Sequence, residues 1–160
     1  MKMTFRKKTR ELLIRLIFQM SSTGDFSNAA KDAFLADTSL YTGNENEGTL
    51  SDCIFDEQAG EEPDLNYLNL AFLCVRDNLT VIDVLINNAS KGWSVDRMSM
   101  VDLAILRVAT AEIRYIDDID NNVSVNEAVL LSKKYGSEKS AVFINGILGT
   151  ITRARDEELS

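Results

Sequence analysis

A chain of 160 residues has the size of one ordinary domain, and 45% hydrophobic with 26% charged residues is the composition of a soluble globular protein, which argues against wholesale disorder and against a membrane span. The absence of histidine excludes Ser-His-Asp and Cys-His nucleophilic sites and every His-based metal site. A net charge of −8 excludes a protein that holds nucleic acid by overall basicity, although the charge is unevenly placed.

Residues 1–15 carry six bases, Lys2, Arg6, Lys7, Lys8, Arg10 and Arg15, against Glu11 alone, a local balance of +5. Leu12, Leu13, Leu16, Ile17 and Met20 recur at helical spacing in the same stretch, predicting an amphipathic helix over about 5–20 with a basic polar side. Arg15 interrupts the apolar run and no small-residue cleavage site follows, so the opening is read as helix and not as a secretory leader. The sequons at Asn78, Asn88 and Asn122 then carry no meaning, and the two cysteines, Cys53 and Cys74, fit a reducing cytoplasm.

A weaker helix is expected over 28–36, with Ala29, Ala30, Ala33 and Phe34 facing inward. Residues 37–62 then combine Gly43, Gly48 and Gly60 with many acids and few periodic apolar positions, the pattern of a mobile surface excursion with little core. Pro63 and Asp64 open the longest predicted helix, whose apolar positions run Leu65, Leu68, Phe72, Val75, Leu79, Ile82 and Ile86. Leu70, Leu73 and Val81 widen that face beyond a coiled-coil seam, favouring burial in a bundle.

Gly92 and Trp93 mark the next break. Ser99 with Asp102 caps a helix over about 100–116, with Val101, Ile105, Val108 and Ile113 as its inner side. After the acidic turn DDIDNN, Ser124 and Glu127 match a reciprocal capping box, and Gly136 stands where a left-handed cap ends the helix. A last helix runs from about Glu138 past Ile151 into the polar tail RARDEELS. The expected architecture is a compact all-α helical bundle of about seven helices, a single domain over 1–160.

Chemistry is sparse. No Gly-rich phosphate loop occurs, and Asp118, Asp120 and Asn122 match the first three positions of a calcium loop that then fails at Val123 and Val129. No enzyme activity, cofactor or metal is expected. Two cationic groups remain: Arg6, Lys7, Lys8 and Arg10 on the first helix, and Lys133, Lys134, Tyr135 and Lys139 around Gly136, with Phe143 one turn further. Cations that hold phosphates and aromatics that stack on unpaired bases suit single-stranded RNA, although such cations are usually just solvated helix surface and a residue like Phe143 is more often core.

RKKTRELLIRLIFQM resembles the arginine-rich opening of the bacterial NusB family of transcription antitermination factors, commonly R-R-x-A-R-E before an apolar helix. VDLAILRVATAEIRYI and VSVNEAVLLSKKYGSEKSAVFINGILGTI resemble that family's V-x-x-A-I-L-R and I-N-E-A-V-x-L-A-K-x-[FY]-G-x-x-x-S-x-x-F-[IV]-N-G-[IV]-L segments in order and spacing. The resemblance implies a cytoplasmic protein that binds boxA RNA of ribosomal RNA leaders together with NusE, a small-subunit ribosomal protein, in a complex that keeps RNA polymerase elongating. It places Arg6, Lys7, Lys8, Arg10, Lys133, Tyr135, Lys139 and Phe143 on RNA-contacting segments, and Phe18 and Asp102 on the partner face.

Lys7 and Lys8 replace arginines and lose the planar fork, Thr9 replaces an alanine, Lys139 a commonly acidic residue, and the proline before the capping box is missing. In the FINGIL run, Asn145 is expected to satisfy backbone groups, and Gly146 and Gly149 to allow close helix approach. The related RNA-binding domain of ribosomal RNA cytosine methyltransferases is the alternative, disfavoured if the chain ends at residue 160. A helical protein-binding adaptor is another, distinguished by a lack of RNA retention at low salt.

Overall fold

The computed structural model of the chain describes residues 2–37, 54–55 and 60–160. Every regular element among them is helical: α1 (Lys2–Thr23), α2 (Asn28–Leu35), α3 (Leu65–Asp77), α4 (Leu79–Ala89), α5 (Met100–Tyr115), α6 (Asn121–Tyr135) and α7 (Glu138–Leu159), with a 3-10 turn at Val95–Arg97. This is the expected all-α bundle of about seven helices, with all-α character as the periodicity predicts. Among the described residues no helix is long and apolar enough to cross a membrane. Backbone packing divides the chain into two compact units, residues 1–69 and 70–160. Most of the acidic stretch at 37–62, with Cys53, lies outside the described residues.

In the first unit, α1 extends three residues beyond the expected helix at each end and buries Leu12, Leu13, Leu16, Ile17 and Met20. Ser27 caps α2, its hydroxyl accepting the Ala30 N–H at 3.1 Å. No residue of α2 is buried, contrary to the inward side expected for it: Ala29 and Ala33 are exposed and Phe34 only half-buried. Two turns of small side chains present too little apolar surface to seat the helix deeply. The acidic excursion corrects the expectation in the opposite sense, because Ile54 and Phe55 are buried, Phe55 completely. A single apolar pair needs no periodicity to reach a core.

The start of α3 is built as Pro63 and Asp64 suggest. The Asp64 carboxylate accepts the Tyr67 N–H at 3.2 Å, and the Asp64 N–H donates to the Thr9 hydroxyl at 2.8 Å. Thr9 is fully buried, so this hydroxyl satisfies a backbone donor that an alanine would leave unpaired.

The long helix predicted from residue 65 to 86 is two helices. Asn78 leaves helical geometry (φ −122°, ψ 22°), and its side-chain amide donates to the Cys74 carbonyl at 2.9 Å. Asparagine offers the backbone this local alternative, and here it ends α3 and starts α4. Burial, with a smaller contribution from Asp77, pushes the Cys74 thiol up in pKa. Leu68, Phe72, Val75, Ile82 and Ile86 are completely buried, but Leu65, Leu70, Leu73 and Val81 are exposed, so the buried stripe is narrower than expected.

In the second unit α5 packs against α4, α6 and α7, and it is buried without interruption from Asp102 to Ile113, well beyond the one inner side expected. Its buried charged groups are matched, whereas the buried Thr110 hydroxyl has no hydrogen-bond partner among the described residues. The Arg107 guanidinium donates to both Asp83 oxygens, at 2.9 and 2.8 Å, and Glu112 accepts the Ser124 hydroxyl at 3.0 Å. Ser124 therefore is not the N-cap: α6 starts at Asn121, capped by Asp120, whose carboxylate accepts the Asn122 N–H at 2.8 Å. The buried carboxylate of Glu112 claims the hydroxyl that the capping box would have used.

Gly136 ends α6 with φ −123°, outside the left-handed region expected of it. Space is the reason for glycine: a Cβ there would stand 2.9 Å from the Ser132 carbonyl oxygen. The reverse holds at Gly146, where a Cβ meets nothing within 4 Å, so this glycine allows no close helix approach. Asn145 beside it is exposed. Ser137 caps α7, and Arg114 and Arg155 both donate to Glu158, extending the helix through the polar tail. The Arg114 hydrogen bond holds the Glu158 carboxyl below its usual range.

The two glycines predict opposite responses. Gly146→Ala is expected to raise Tm by about 2–4 °C, since an open mid-helix glycine costs roughly 1 kcal/mol relative to alanine. Gly136→Ala is expected to destabilise by about 1–3 kcal/mol through the clash with the Ser132 carbonyl. Thermal melts of both variants check this, and a shift of the same sign in both would contradict it.

Candidate nucleic-acid interface

In the first unit the basic residues of α1 are closely attended by acids and by one aromatic ring. The Lys8 ammonium donates to Glu61, and the Arg6 Nε lies 3.8 Å from an Asp64 oxygen without a hydrogen bond. The guanidinium carbons of Arg6 and Arg10 lie 5.6 and 5.4 Å from the centre of the Tyr67 ring, within cation–π range. Arg10 is 4% exposed, a packed residue of the unit, while Lys7 is exposed. The predicted cationic strip thus exposes Lys7 and, in part, Arg6 and Lys8, and it presents Arg10 hardly at all. Glu61, which no motif singled out, and Asp64, read only as a helix start, set that arrangement. Phe18 is half-buried on the same helix.

The second cluster lies where α6 ends and α7 begins. Lys133 and Lys134 are exposed in the last turn of α6, where positive charge also complements the helix dipole. Tyr135 is half-buried, with the Lys134 ammonium 5.4 Å from its ring centre. Ser137 accepts the Ser140 N–H at 3.1 Å, which fixes the first turn of α7 and directs Lys139 outward.

Lys139 and Phe143 line one hollow of about 350 Å³ together with Trp93, Arg97, Asp102 and Ser140. Asp102 is 9% exposed and accepts the Ser140 hydroxyl at 3.3 Å, while Ser99 caps α5 by accepting the Asp102 N–H at 3.1 Å, as the sequence indicates. The structure therefore brings Asp102, predicted for a protein partner, to the same hollow as Lys139 and Phe143, predicted for RNA. Trp93 meets Phe143 edge to face, with centroids 6.4 Å apart and planes at 73°. Trp93 was legible in the sequence only as a helix break and Arg97 not at all, because no periodicity in the 49 residues between Trp93 and Phe143 joins them. No group of three or more acids or cysteines that could hold a metal occurs among the described residues.

Comparison with known proteins bears on the family and the fold. The NusB family model matches residues 7–153. The transcription antitermination protein NusB of Clostridium botulinum is 38% identical over 144 residues, 90% of this chain and 96% of that protein. The NusB of Clostridium kluyveri is 35% identical over 156 residues, 96% of this chain and 97% of that protein. Among solved structures, T. maritima NusB superposes with a TM-score of 0.69 at 27% identity, covering 95% of this chain and 96% of that one. A chain from the crystal structure of antitermination factors NusB and NusE in complex with dsRNA shares the fold, with a TM-score of 0.71 at 21% identity, covering 95% and 98%. With a family match over nearly the whole chain, helices in the expected order and relatives above 30% identity along nine tenths of its length, this chain belongs to the NusB family of non-enzymatic transcription antitermination proteins.

Proposed function

We propose that this protein binds single-stranded boxA-type RNA of ribosomal RNA leaders jointly with NusE, in the cytoplasm, and that the joint complex supports processive elongation by RNA polymerase. The observation that carries the reading is the junction of α6 and α7. Lys133, Lys134 and Lys139 are exposed there beside the half-buried rings of Tyr135 and Phe143, the pairing of phosphate-holding cations with stacking surfaces that unpaired RNA requires. Lys139 stands in the first turn of α7, where the helix dipole favours an acid, so its charge is better matched by an anionic ligand than by the helix itself. Lys7, Arg6 and Lys8 supply further phosphate contacts from α1, and Arg10 contributes by packing on Tyr67.

Glu61 and Asp64 compete with phosphate for Lys8 and Arg6, which makes binding by the isolated protein modest. NusE contacts Phe18 on α1 and Asp102 in the hollow. Because Asp102 also lines the hollow of Lys139 and Phe143, Phe18 is the position at which partner binding separates cleanly from RNA binding. The solved complex of antitermination factors NusB and NusE with dsRNA, one chain of which shares this fold, supports the choice of partners.

Titration of labelled boxA-like RNA and a scrambled control, each with and without NusE, tests the reading: the boxA sequence binds more tightly, and NusE increases the difference. If about four phosphates are neutralised, log affinity falls against log salt with a slope near −3, at roughly 0.7 per contact. A slope of zero, or equal binding of both RNAs with NusE present, would contradict it.

Phe18→Asp is expected to weaken NusE binding by several kcal/mol, about 3–5 when a charge is left unpaired in an interface, with RNA binding by the isolated protein unchanged. Equal loss of both activities in a folded variant would show the partner face to be misassigned.

Arg10→Ala is expected to lower stability by about 2 kcal/mol, the scale of a desolvated cation–π contact. Lys7→Ala is expected to leave Tm unchanged and to reduce the magnitude of the salt slope by about 0.7. Melting curves and salt titrations on the two variants check the division of roles, which an unstable Lys7→Ala or a neutral Arg10→Ala would reverse.

A further inference from the structure

Trp93 is the only tryptophan in the chain, and 54% of it is exposed. Single exposed apolar residues are ordinary, but this one is held in place. Lys91 (φ 50°) and Gly92 (φ 105°) turn the chain through two left-handed residues just before it. The Ser90 hydroxyl donates to the Trp93 carbonyl, and the Val95 N–H donates to the Asn87 side-chain oxygen at 2.8 Å. The backbone is thus pinned on both sides of the indole, whose edge-to-face contact with Phe143 restrains the ring itself. A large π-surface kept open on a restrained turn keeps its ordering cost low when it binds.

The charges around the hollow indicate what enters it. Lys139 and Arg97 are exposed in its wall, suited to phosphates outside the ring stack. Asp102 lies within the wall, where its carboxylate repels a phosphate and accepts a donor from a neutral group. The opening therefore suits a base with its backbone kept at the cationic edge.

We propose that Trp93 is a base-stacking residue of the RNA site, holding one unpaired base against its indole beside Phe143 while Arg97 and Lys139 hold the flanking phosphates. The inference rests on the RNA-binding reading above and adds to it a residue and a subsite. Stacking on a π-face is sequence-tolerant, so Trp93 contributes affinity while discrimination between bases comes from other contacts.

The single tryptophan supplies its own reporter. In the full chain, titration with unlabelled boxA-like RNA is expected to quench Trp93 fluorescence, with the same midpoint as fluorescence anisotropy of labelled RNA. Trp93→Ala is expected to lose roughly 5- to 150-fold in RNA affinity, and Trp93→Phe to keep most of it, with the salt slope of both unchanged. Melting curves of both variants establish that they fold. Undiminished RNA affinity in Trp93→Ala, with no quenching in the parent protein, overturns the subsite while leaving the RNA reading intact. Loss of NusE binding in Trp93→Ala with RNA affinity unchanged overturns it in favour of a protein contact. If the parent protein binds no RNA, the underlying reading fails and this inference with it.

Discussion

Helix α5 is buried on every side from Asp102 to Ile113, and the other elements of its unit are arranged by that constraint. A helix so enclosed has nowhere to put a charge except against a matching group, and burying an unmatched one costs several kcal/mol. Arg107 accordingly faces both oxygens of Asp83 on α4, and Glu112 faces Ser124 on α6. These two links tie α5 to α4 and to α6 through buried charged groups. The arginine that closes the A-I-L-R run is therefore accounted for by the fold, without recourse to a ligand.

The same logic of opposed charges governs the basic opening. Residues 1–15 carry +5 and residues 16–65 carry −10, so each stretch repels itself and the two attract one another. Glu61 and Asp64, at the end of the acidic block, come to Lys8 and Arg6, and Tyr67 takes the guanidinium of Arg10. Such partly exposed pairs are individually weak, about 0–1 kcal/mol, so they screen the cations without locking them. A segment of this kind is suited to exchanging an internal carboxylate for an external phosphate.

At the junction of α6 and α7 the geometry is tight where the chain turns and open where the aromatic rings emerge. Ser132, Gly136 and Ser140 approach so closely that a methyl group does not fit, while Trp93 and Phe143 leave a hollow beside them. Rigidity next to an open aromatic surface is the arrangement expected of a site that binds without reorganising.

The sequence by itself determined the helices. Period-3.6 patterning located six helical segments, one of which the structure divides into α3 and α4; Ser99 and Asp64 marked two of their starts, and the opening together with the NEAV and FINGIL runs marked the family. Hydrophobic periodicity is a property of each segment alone, so it survives reading one segment at a time. What it leaves open is which inward faces meet, and every correction arises there or in a local competition for hydrogen bonds. Ser124 serves Glu112 instead of a cap, and Arg10 packs on Tyr67 instead of standing in solvent. Asn78 divides one helix into two, and Phe55 reaches the core from an unpatterned stretch. The hollow of Trp93, Asp102, Lys139 and Phe143 belongs to the tertiary structure for the same reason: a charge or ring has a role only once the group opposite it is known, and those groups are brought together by packing across separate helices.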